Sequence, residues 1–361
     1  MYIGAGLLDS LADLAAHHLA GRRSIMIADA TVAELYGEWR RGGPMPWRPR
    51  ERSCDEAPPA GWVAPLTFPA GEASKTRETW ARLTDELLAS GYGRDSAIVA
   101  LGGGVTGDLA GFVAATYLRG VPFMQVPTTL LAMLDASIGG KTGVDTPHGK
   151  NLVGAFHPPA TVVADLLTLT TLPDRDYRAG LAEAVKHGLM ADAEHFAWIE
   201  RHVDALSARA LDALDELVRR SVAIKAEVVG GDERESGRRA VLNAGHTVAH
   251  AIEQVTHYTT PHGEAVAMGL VVECRLGEML GVSAPGTTDR VSVLLGRLGL
   301  PPVLPLPPIL PALLRAMHGD KKAVGGDLRF AFPARVGEAD REGDAWTRAV
   351  EEAEVERGIR G

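Results

Sequence analysis

Cysteine is scarce in this chain of 361 residues, which contains only Cys54 and Cys274. The two cysteines lie far apart in the sequence, so they predict neither a disulfide framework nor a CxxC metal site. This cysteine usage suits a reducing compartment, and we therefore expect a cytoplasmic protein.

Long apolar runs and a surplus of positive charge are also missing. No run reaches the length of about 20 residues that a transmembrane helix needs, and the N-terminus has no basic segment followed by an apolar stretch. We therefore expect no association with membranes. The formal net charge of −9 argues against general nucleic-acid binding. It does not exclude an anionic small molecule, because a local lysine and arginine cluster can outweigh a distant negative surface.

The composition is that of a globular protein, with 46% hydrophobic and 23% charged residues. In the first half, short apolar runs alternate with helical patterns, which predicts a mainly parallel sheet covered by helices on both faces. Predicted strands cover 24–28, 62–68, 97–101, 122–126 and 161–164, and predicted helices cover 31–37, 74–90, 106–118 and 128–135. Residues 38–61 interrupt the pattern; they are rich in Pro, Arg and Gly, which predicts a surface loop.

The character of the sequence changes near residue 170, after which helical patterns dominate. Predicted helices cover 174–191, 194–202, 208–230, 245–256, 262–281 and 286–298, followed by a Pro-rich stretch at 301–311 and a short strand at 328–332. We therefore expect two domains: an α/β nucleotide-binding domain over 1–170 and a mostly α-helical metal- and substrate-binding domain over 171–361.

A glycine-rich turn at 102–107 follows a predicted strand and opens a predicted helix. Glycines in this context let a nucleotide pyrophosphate approach the backbone N–H groups at a helix N-terminus. A tight strand-to-helix turn without a ligand fits the same residues equally well. The acidic residue that a standard dinucleotide motif carries about twenty positions further on is missing. Asp108 and Asp29 are the alternative polar partners for the nucleotide.

Basic residues and glycines also cluster between positions 135 and 151. Gly140-Lys141-Thr142 resembles the end of a P-loop, but Asp135 stands where that motif requires a glycine, which disfavours a kinase. Lys150 and Asn151 complete the cluster. Two lysines, an amide and several glycines are typical of a site for an anionic, hydroxyl-rich ligand.

Histidines and a carboxylate form the most informative pattern in the chain. His246 and His250 share one face of a predicted helix, and His262 follows shortly afterwards. Glu183 lies among apolar neighbours in another predicted helix, and a buried carboxylate needs a partner such as a metal ion or Lys186. A lone histidine is usually structural, but three so close together are not readily explained that way. Two histidines and one carboxylate form an open catalytic Zn²⁺ site.

Several sequence blocks resemble those of 3-dehydroquinate synthases, in the same order and across most of the chain. They are PAGEASKT, GGGVTGDLAGF, QVPTTLLAMLDASIGGKTGVD, GKNLVGAFHPP, GLAEAVKHG, IKAEVV, LNAGHTVAHAIE and HGEAVAMG. The resemblance implies a Rossmann-like nucleotide-binding α/β domain, a mostly α-helical C-terminal domain and an active site between them. It also implies NAD, one Zn²⁺ or Co²⁺ ion and a homodimer.

The reaction implied by this resemblance converts 3-deoxy-D-arabino-heptulosonate 7-phosphate to 3-dehydroquinate and phosphate, an early stage of the shikimate pathway. It proceeds by transient oxidation of a ring alcohol, β-elimination of phosphate, re-reduction and intramolecular aldol closure. The enzyme is thus a phosphate-eliminating lyase whose substrate is a phosphorylated sugar acid.

The resemblance also implies roles for individual residues. The implied metal ligands are Glu183, His246 and His262. The implied substrate residues are Asp135, Lys141, Lys150, Asn151, Lys186, Lys225, Arg239, Asn243 and His250, with Lys321 or Lys322 on the phosphate and Arg119 reaching it across a dimer interface. The implied NAD residues are Gly103, Gly104, Val105, Asp108, Thr128, Thr129, Lys141, Lys150 and Thr171, with Asp29, Glu72 and Lys75 towards the adenosine half.

The sequence departs from the family pattern in two places. The 38–61 loop replaces a more regular helical segment, and Val248-Ala249 stands where an aromatic or Leu and a Gly are more usual.

Several alternative functions remain open at this point. The nearest alternative is another sugar-phosphate cyclase. Enzymes that make an inosose or a valiolone are disfavoured by the cationic residues, whereas an amino-dehydroquinate synthase is not. A metal-dependent polyol dehydrogenase and a non-enzymatic binding protein are more distant alternatives.

Overall fold

The computed structural model describes residues 1–37, 65–232, 237–302, 310–319 and 328–360. The chain divides into two compact units, Met1–Leu172 and Pro173–Gly361. The predicted 38–61 loop lies outside the described residues, as do Lys321 and Lys322. None of the helices within the described ranges combines the length and apolar character that crossing a bilayer requires.

A parallel sheet forms the centre of the first unit. Its strands are β1 (Tyr2–Gly4), β2 (Arg23–Asp29), β3 (Leu66–Phe68), β4 (Ser96–Gly102), β5 (Phe123–Pro127) and β8 (Thr161–Asp165). They lie in the order β1-β8-β5-β4-β2-β3, and every pairing between them is parallel. Residues of β4, β5 and β8 are buried throughout, as expected for apolar strands covered on both faces.

Helices cover both faces of this sheet, namely α1 (Leu11–His18), α2 (Ala30–Gly37), α3 (Arg77–Ala89) and α4 (Gly104–Thr116). Successive strand residues point to opposite faces. Ile27 therefore packs in one apolar cluster with Leu109 and Val113 of α4, whereas its neighbour Met26 packs in the other with Leu11 of α1. The predicted Rossmann-like fold is confirmed for this unit.

Three elements of the first unit differ from the sequence-based expectation. The glycine-rich stretch after residue 139 forms an antiparallel hairpin of β6 (Lys141–Thr146) and β7 (Gly149–Phe156), which the sequence pattern did not reveal. Glycine lets the two strands lie close together there, since a Cβ on Gly143 would lie 2.8 Å from the Val153 carbonyl oxygen. The helix predicted over 128–135 is instead a π-helical segment, Ala132–Ala136. Edge strand β1 has three residues, too few to show a periodicity.

The second unit is mostly helical, as predicted. Its helices are α5 (Asp174–Ala191), α6 (Ala193–Arg201), α7 (Val203–Ser207), α8 (Leu211–Gly230), α9 (His246–Val255), α10 (His262–Met279), α11 (Thr287–Arg297), α12 (Leu310–Gly319) and α13 (Glu352–Arg360). Asp192 separates α5 from α6 because its side chain accepts hydrogen bonds from the first N–H groups of α6. Helix α12 begins inside the Pro-rich stretch at 301–311, and Pro311 sits in its first turn, where proline is tolerated.

Short strands complete the second unit. They are β9 (Leu328–Phe330), β10 (Pro333–Arg335), β11 (Glu338–Ala339) and β12 (Arg348–Val350). Strand β9 pairs with β12, and β10 pairs with β11, both in the antiparallel sense. Only the first of these strands, within the predicted 328–332 segment, was expected from the sequence; the other three were not predicted.

Candidate active site

The three predicted metal ligands lie on different helices of the second unit. Glu183 is fully buried in the middle of α5, whereas His246 and His262 are the first residues of α9 and α10. Glu183 Oε1 lies 3.7 Å from His246 Nε2 and 3.4 Å from His262 Nε2. Bonds of about 2 Å in a tetrahedral zinc site place ligand atoms about 3.3 Å apart. The three donor atoms thus have the separation that a single ion spans.

Each histidine presents its Nε2 atom to Glu183 and has a partner near its Nδ1 atom. His246 Nδ1 lies 3.1 Å from the Ala244 carbonyl oxygen, so Nδ1–H donates and Nε2 keeps the lone pair. His262 Nδ1 lies 3.6 Å from Glu253 Oε2. Such outer partners fix the tautomer and the orientation of metal-binding imidazoles. The donor set therefore fits a divalent cation such as Zn²⁺ or Co²⁺.

Backbone contacts set the distance between the helices that carry these ligands. A Cβ on Gly263 would overlap the backbone of Ala179 in α5, and a Cβ on Gly269 would overlap the backbone of Gly245. Gly245 itself has a φ of 79°, in the left-handed region, and turns the chain into α9. Glycine at these positions lets α10 lie in main-chain contact with α5 and with the turn before α9.

The electrostatics of this cluster favour a cation. Burial alone would lower the pKa of His262, but Glu183 and Glu253 outweigh burial and raise the pKa to about 9. Lys186 Nζ forms a buried ion pair with Glu183 Oε2, the oxygen that does not face the histidines. The carboxylates thus hold positive charge at the position where a metal ion fits.

Other predicted residues of the second unit lie on the elements around this cluster. The His250 ring centroid is 5.5 Å from that of His246 and 6.5 Å from that of His262. Lys225 is buried on α8, and Arg239 is buried on the 3₁₀ helix that ends at Asn243. That short helix packs against both α5 and α8. The fold thus gathers these substrate candidates about the helix that carries Glu183.

In the first unit, predicted nucleotide residues lie at the carboxyl ends of three neighbouring strands. Asp29 ends β2, Gly103 and Gly104 follow β4, and Thr128 follows β5. From β2 the chain continues to β3 on one side of the sheet, whereas from β4 it continues to β5 on the other side, so the strand order reverses between β2 and β4. Ligands of open α/β sheets bind at such a reversal of strand order. Gly104 begins α4, whose N-terminus favours an anion.

Local contacts shape this turn. The Asp29 carboxylate accepts hydrogen bonds from the Val32 N–H at 3.0 Å and from Thr106 Oγ at 3.3 Å. A Cβ on Gly103 would lie 3.1 Å from a Thr129 methyl group, so a larger residue would be crowded there. The turn at the N-terminus of α4 is therefore compact, and glycine fits at a position where a larger residue would be crowded.

A polar network joins further predicted residues in the first unit. Lys75 Nζ donates to Asp108 Oδ2 and to Asn151 Oδ1, each at 2.5 Å, and Lys150 Nζ lies 3.3 Å from Glu72 Oε1. Burial would lower the pKa of Lys75, but Asp108 and Glu72 outweigh burial and raise it. Lys75 therefore stays charged and holds these side chains together.

Four further predicted residues of this unit have different settings. Asp135 lies in the π-helical segment Ala132–Ala136, and the Cβ of its neighbour Ala136 would lie 3.3 Å from a Cβ on Gly104, which places this segment beside the glycine-rich turn. Lys141 begins β6, and Thr171 Oγ lies 2.6 Å from the Tyr36 hydroxyl. Arg119 is exposed and precedes β5, so it lies at the amino end of the strands, whereas the glycine-rich turn lies at the carboxyl end.

Two family models match consecutive parts of the chain: 3-dehydroquinate synthase N-terminal over 65–179 and 3-dehydroquinate synthase C-terminal over 180–323. The 3-dehydroquinate synthase of Halorhodospira halophila is 45% identical over 359 residues, covering 99% of this chain and 96% of that protein. That of Symbiobacterium thermophilum is 47% identical over 343 residues, covering 94% and 92%. The chain belongs to the 3-dehydroquinate synthase family.

Solved structures of related cyclases share the whole fold. A 2-deoxy-scyllo-inosose synthase complexed with carbaglucose-6-phosphate, NAD⁺ and Co²⁺ has a TM-score of 0.85 and 26% identity, covering 99% of this chain and 95% of that one. A 2-epi-5-epi-valiolone synthase from Streptomyces hygroscopicus with NAD⁺ and Zn²⁺ bound has a TM-score of 0.83 and 28% identity, covering 100% and 96%. The predictions of a 3-dehydroquinate synthase family member, an enzyme and a dehydroquinate synthase-like fold are confirmed.

Two carboxylates that the sequence interpretation missed contact residues of the candidate site. Glu253 in α9 is buried and lies near His262, and it follows His246 at a spacing that keeps both on one helix face. Asp145 closes the GKTGVD block, and its carboxylate accepts a hydrogen bond from the Asn151 N–H at 2.9 Å. A buried acidic residue at helical spacing from a ligand was the available signal for Glu253. Asp145 had none beyond its place in that block.

Glu253→Gln is expected to weaken metal binding about 10- to 100-fold, the usual cost of losing an outer partner of a metal-bound histidine. Glutamine keeps the shape of the side chain but not the charge that orients His262. The measurement is titration of the metal-free protein with Co²⁺, followed by its visible absorption. Glu264→Gln is the matched control, because Glu264 pairs with Arg175 at the surface. Equal Co²⁺ affinity in the two variants would contradict a role for Glu253.

Proposed function

We propose that this chain is a 3-dehydroquinate synthase, converting 3-deoxy-D-arabino-heptulosonate 7-phosphate to 3-dehydroquinate and phosphate. The observation that carries the proposal is the convergence of Glu183, His246 and His262 in a chain 45–47% identical to 3-dehydroquinate synthases over almost its full length. The blocks that predicted the family supply these three residues and also the polar network of the first unit.

The proposed cofactors are NAD⁺ and one Zn²⁺ or Co²⁺ ion, as in the related cyclase structures. When bound, the metal ion polarises a substrate oxygen and the nicotinamide accepts and later returns a hydride. Glu183, His246 and His262 are the proposed metal ligands. The first unit is the proposed NAD domain and the second the proposed metal domain.

Residues of the second unit have proposed roles in holding the substrate's anionic groups. Lys225 and Arg239 are buried basic residues. The backbone N–H of Arg239 donates a hydrogen bond to Asp232 Oδ2 at 3.0 Å, which holds the chain in place there. A buried guanidinium suits a carboxylate because it donates two parallel hydrogen bonds. His250 lies beside two proposed ligands and is suited to orient the leaving phosphate and the proton that accompanies it. Preorganised positive charge of this kind stabilises charge that develops during elimination.

Residues of the first unit have proposed roles towards NAD⁺. The turn at Gly103 and Gly104 would receive the pyrophosphate at the N-terminus of α4. Asp29 and Glu72, with Lys75, would face the adenosine half, and Asp108 would contact a ribose hydroxyl. The remaining proposed contacts are Val105, Thr128, Thr129, Lys141, Lys150 and Thr171.

The alternatives differ in the substrate that they require. The inosose and valiolone synthases share 26–28% identity with this chain, well below the 45–47% shared with 3-dehydroquinate synthases. Their substrates lack the carboxylate for which Lys141, Arg239 and Asn243 are suited. A probable glycerol dehydrogenase from Sinorhizobium meliloti, at 18% identity and a TM-score of 0.64, shares the fold alone. An amino-dehydroquinate product would be recognised by analysing the product of the experiment below.

The proposed location of the protein is the cytoplasm, and its proposed assembly is a homodimer. Its two cysteines suit a reducing compartment. The exposed Arg119 lies apart from the nucleotide residues of its own unit, which supports a role at the substrate phosphate of the partner subunit.

The wild-type enzyme is expected to release one phosphate for each heptulosonate phosphate consumed, with no net gain in NADH absorbance. Because the hydride taken from the substrate would be returned within the same turnover, full conversion is expected with NAD⁺ far below the substrate concentration. Phosphate is measured by a coupled colorimetric assay, NADH by its absorbance and the product by mass spectrometry. If NADH rose in step with substrate loss and no phosphate appeared, the protein would be a dehydrogenase rather than a cyclase.

A further inference from the structure

Asp145 lies at the centre of the polar network in the first unit, although none of the roles proposed above includes it. Its backbone N–H donates to the Lys75 carbonyl at 2.7 Å, and its carboxylate Oδ1 accepts from the Asn151 N–H at 2.9 Å. Asp145 therefore hydrogen-bonds to the backbones of both Lys75 and Asn151, whose side chains are joined by the hydrogen bond between Lys75 Nζ and Asn151 Oδ1. One residue ties together strand β6, strand β7 and the segment before α3.

The backbone of Asn151 explains why such a contact is needed. Asn151 has a φ of 55°, in the left-handed region that residues other than glycine seldom adopt. Its side chain is exposed, so apolar packing does not hold it in place. Asparagine tolerates this conformation better than most residues, and the charge-assisted hydrogen bond to Asp145 stabilises it. The amide of Asn151 is thereby directed to Lys75 instead of to solvent.

The surroundings of Asp145 move the ionisation of its carboxyl group to a pH near neutrality. Burial raises the pKa of Asp145 to about 6, against the opposing effects of Lys75 and of the Asn151 N–H, while Glu72 adds to the rise. Lys75 is also paired with Asp108 of α4, and Glu72 with Lys150 of β7. The carboxylate is charged at pH 7.5 and becomes neutral as the pH falls through about 6, which weakens its hold on the Asn151 N–H.

We propose that Asp145 is a positioning residue, whose carboxylate sets the conformation of Lys150 and Asn151 and, with Lys75, the nucleotide and substrate contacts that these residues make. The inference rests on the proposed function for the roles of Lys150 and Asn151. Asp145 acts through its neighbours and need not touch either ligand. Its loss therefore affects affinity more than the rate of the chemical steps.

The test compares Asp145→Ala and Asp145→Asn with the wild type and with Asp85→Asn, an exposed aspartate of α3. We measure NAD⁺ affinity by titration calorimetry, and KM and kcat for the heptulosonate phosphate, between pH 5 and 8. Asp145→Ala is expected to raise KM and the NAD⁺ Kd roughly tenfold or more, because a hydrogen bond to a charged group is lost. Its kcat is expected to change less.

Asp145→Asn separates positioning from general stability, because asparagine keeps an acceptor for the Asn151 N–H without the charge. Its NAD⁺ Kd at pH 7.5 is expected to match that of the wild type at pH 5 and to stay constant over this range, in which the pyrophosphate of NAD⁺ does not titrate. The wild type and Asp85→Asn are expected to show an NAD⁺ Kd that rises as the pH falls through about 6. The inference is overturned if Asp145→Asn keeps the wild-type pH dependence, or if Asp145→Ala binds NAD⁺ and substrate normally. Failure of the wild type to turn over the substrate would refute the proposed function instead, and the NAD⁺ titrations would still decide the role of Asp145.

Discussion

His246→Ala is expected to abolish metal binding and turnover together. The change removes one of three ligands and leaves Glu183 and His262 unable to hold an ion alone. Since the metal ion contributes several kcal/mol to polarising the substrate, activity should fall roughly a thousandfold or more. Metal content is measured by mass spectrometry of the dialysed protein, and turnover by phosphate release.

The control for this prediction is His257→Asn. His257 is exposed, follows α9 and has a φ of 49°, which asparagine tolerates. This variant should keep both metal and activity. A variant in which Glu183, His246 and His262 are all alanine, yet which still binds one ion per chain, would show that the metal site lies elsewhere.

Gly104→Val is expected to block NAD⁺ binding. A Cβ on Gly104 lies 3.3 Å from the Ala136 Cβ, and the branches of valine would extend over the N–H groups that begin α4. Charge-assisted hydrogen bonds to the pyrophosphate would then be lost, weakening binding at least about a hundredfold. The measurement is calorimetric titration of the metal-loaded protein with NAD⁺.

Gly104→Ala and the metal content are the controls for the valine variant. Alanine adds only the Cβ and should weaken binding less, while metal content should stay unchanged in both variants because the proposed ligands lie in the second unit. If Gly104→Val bound NAD⁺ with the affinity of the wild type, the proposed position of the pyrophosphate at this turn would be wrong.

The sequence predicted those parts of the fold whose burial is complete and regular. Strands β2, β4, β5 and β8 are continuous apolar runs, and they were located to within one or two residues. The β6–β7 hairpin was not predicted, because glycines needed for close backbone contacts interrupt the alternation of apolar and polar residues in its strands. The π-helical turn at Ala132–Ala136 has no period of its own in a sequence and was expected to be an ordinary helix.

The candidate site was predictable where residue type and spacing define the chemistry. His246, His262 and Glu183 belong to sequence blocks whose residue types suit a metal, and the structure places their donor atoms together. Glu253 and Asp145 were missed because their roles depend on which neighbours the fold brings to them. An acidic side chain in a helix or strand is usually solvated, and only the observed contacts distinguish these two.

Two glycines of α10 also limit how this enzyme can be engineered for heat resistance. Replacing glycine by alanine commonly stabilises a protein by restricting its unfolded chain. That approach is closed at Gly263 and Gly269, where any side chain would separate the helices that carry the proposed ligands. Gly230 and Gly296 lie in helices with open space beside them, so such replacements there leave the spacing of the ligands intact.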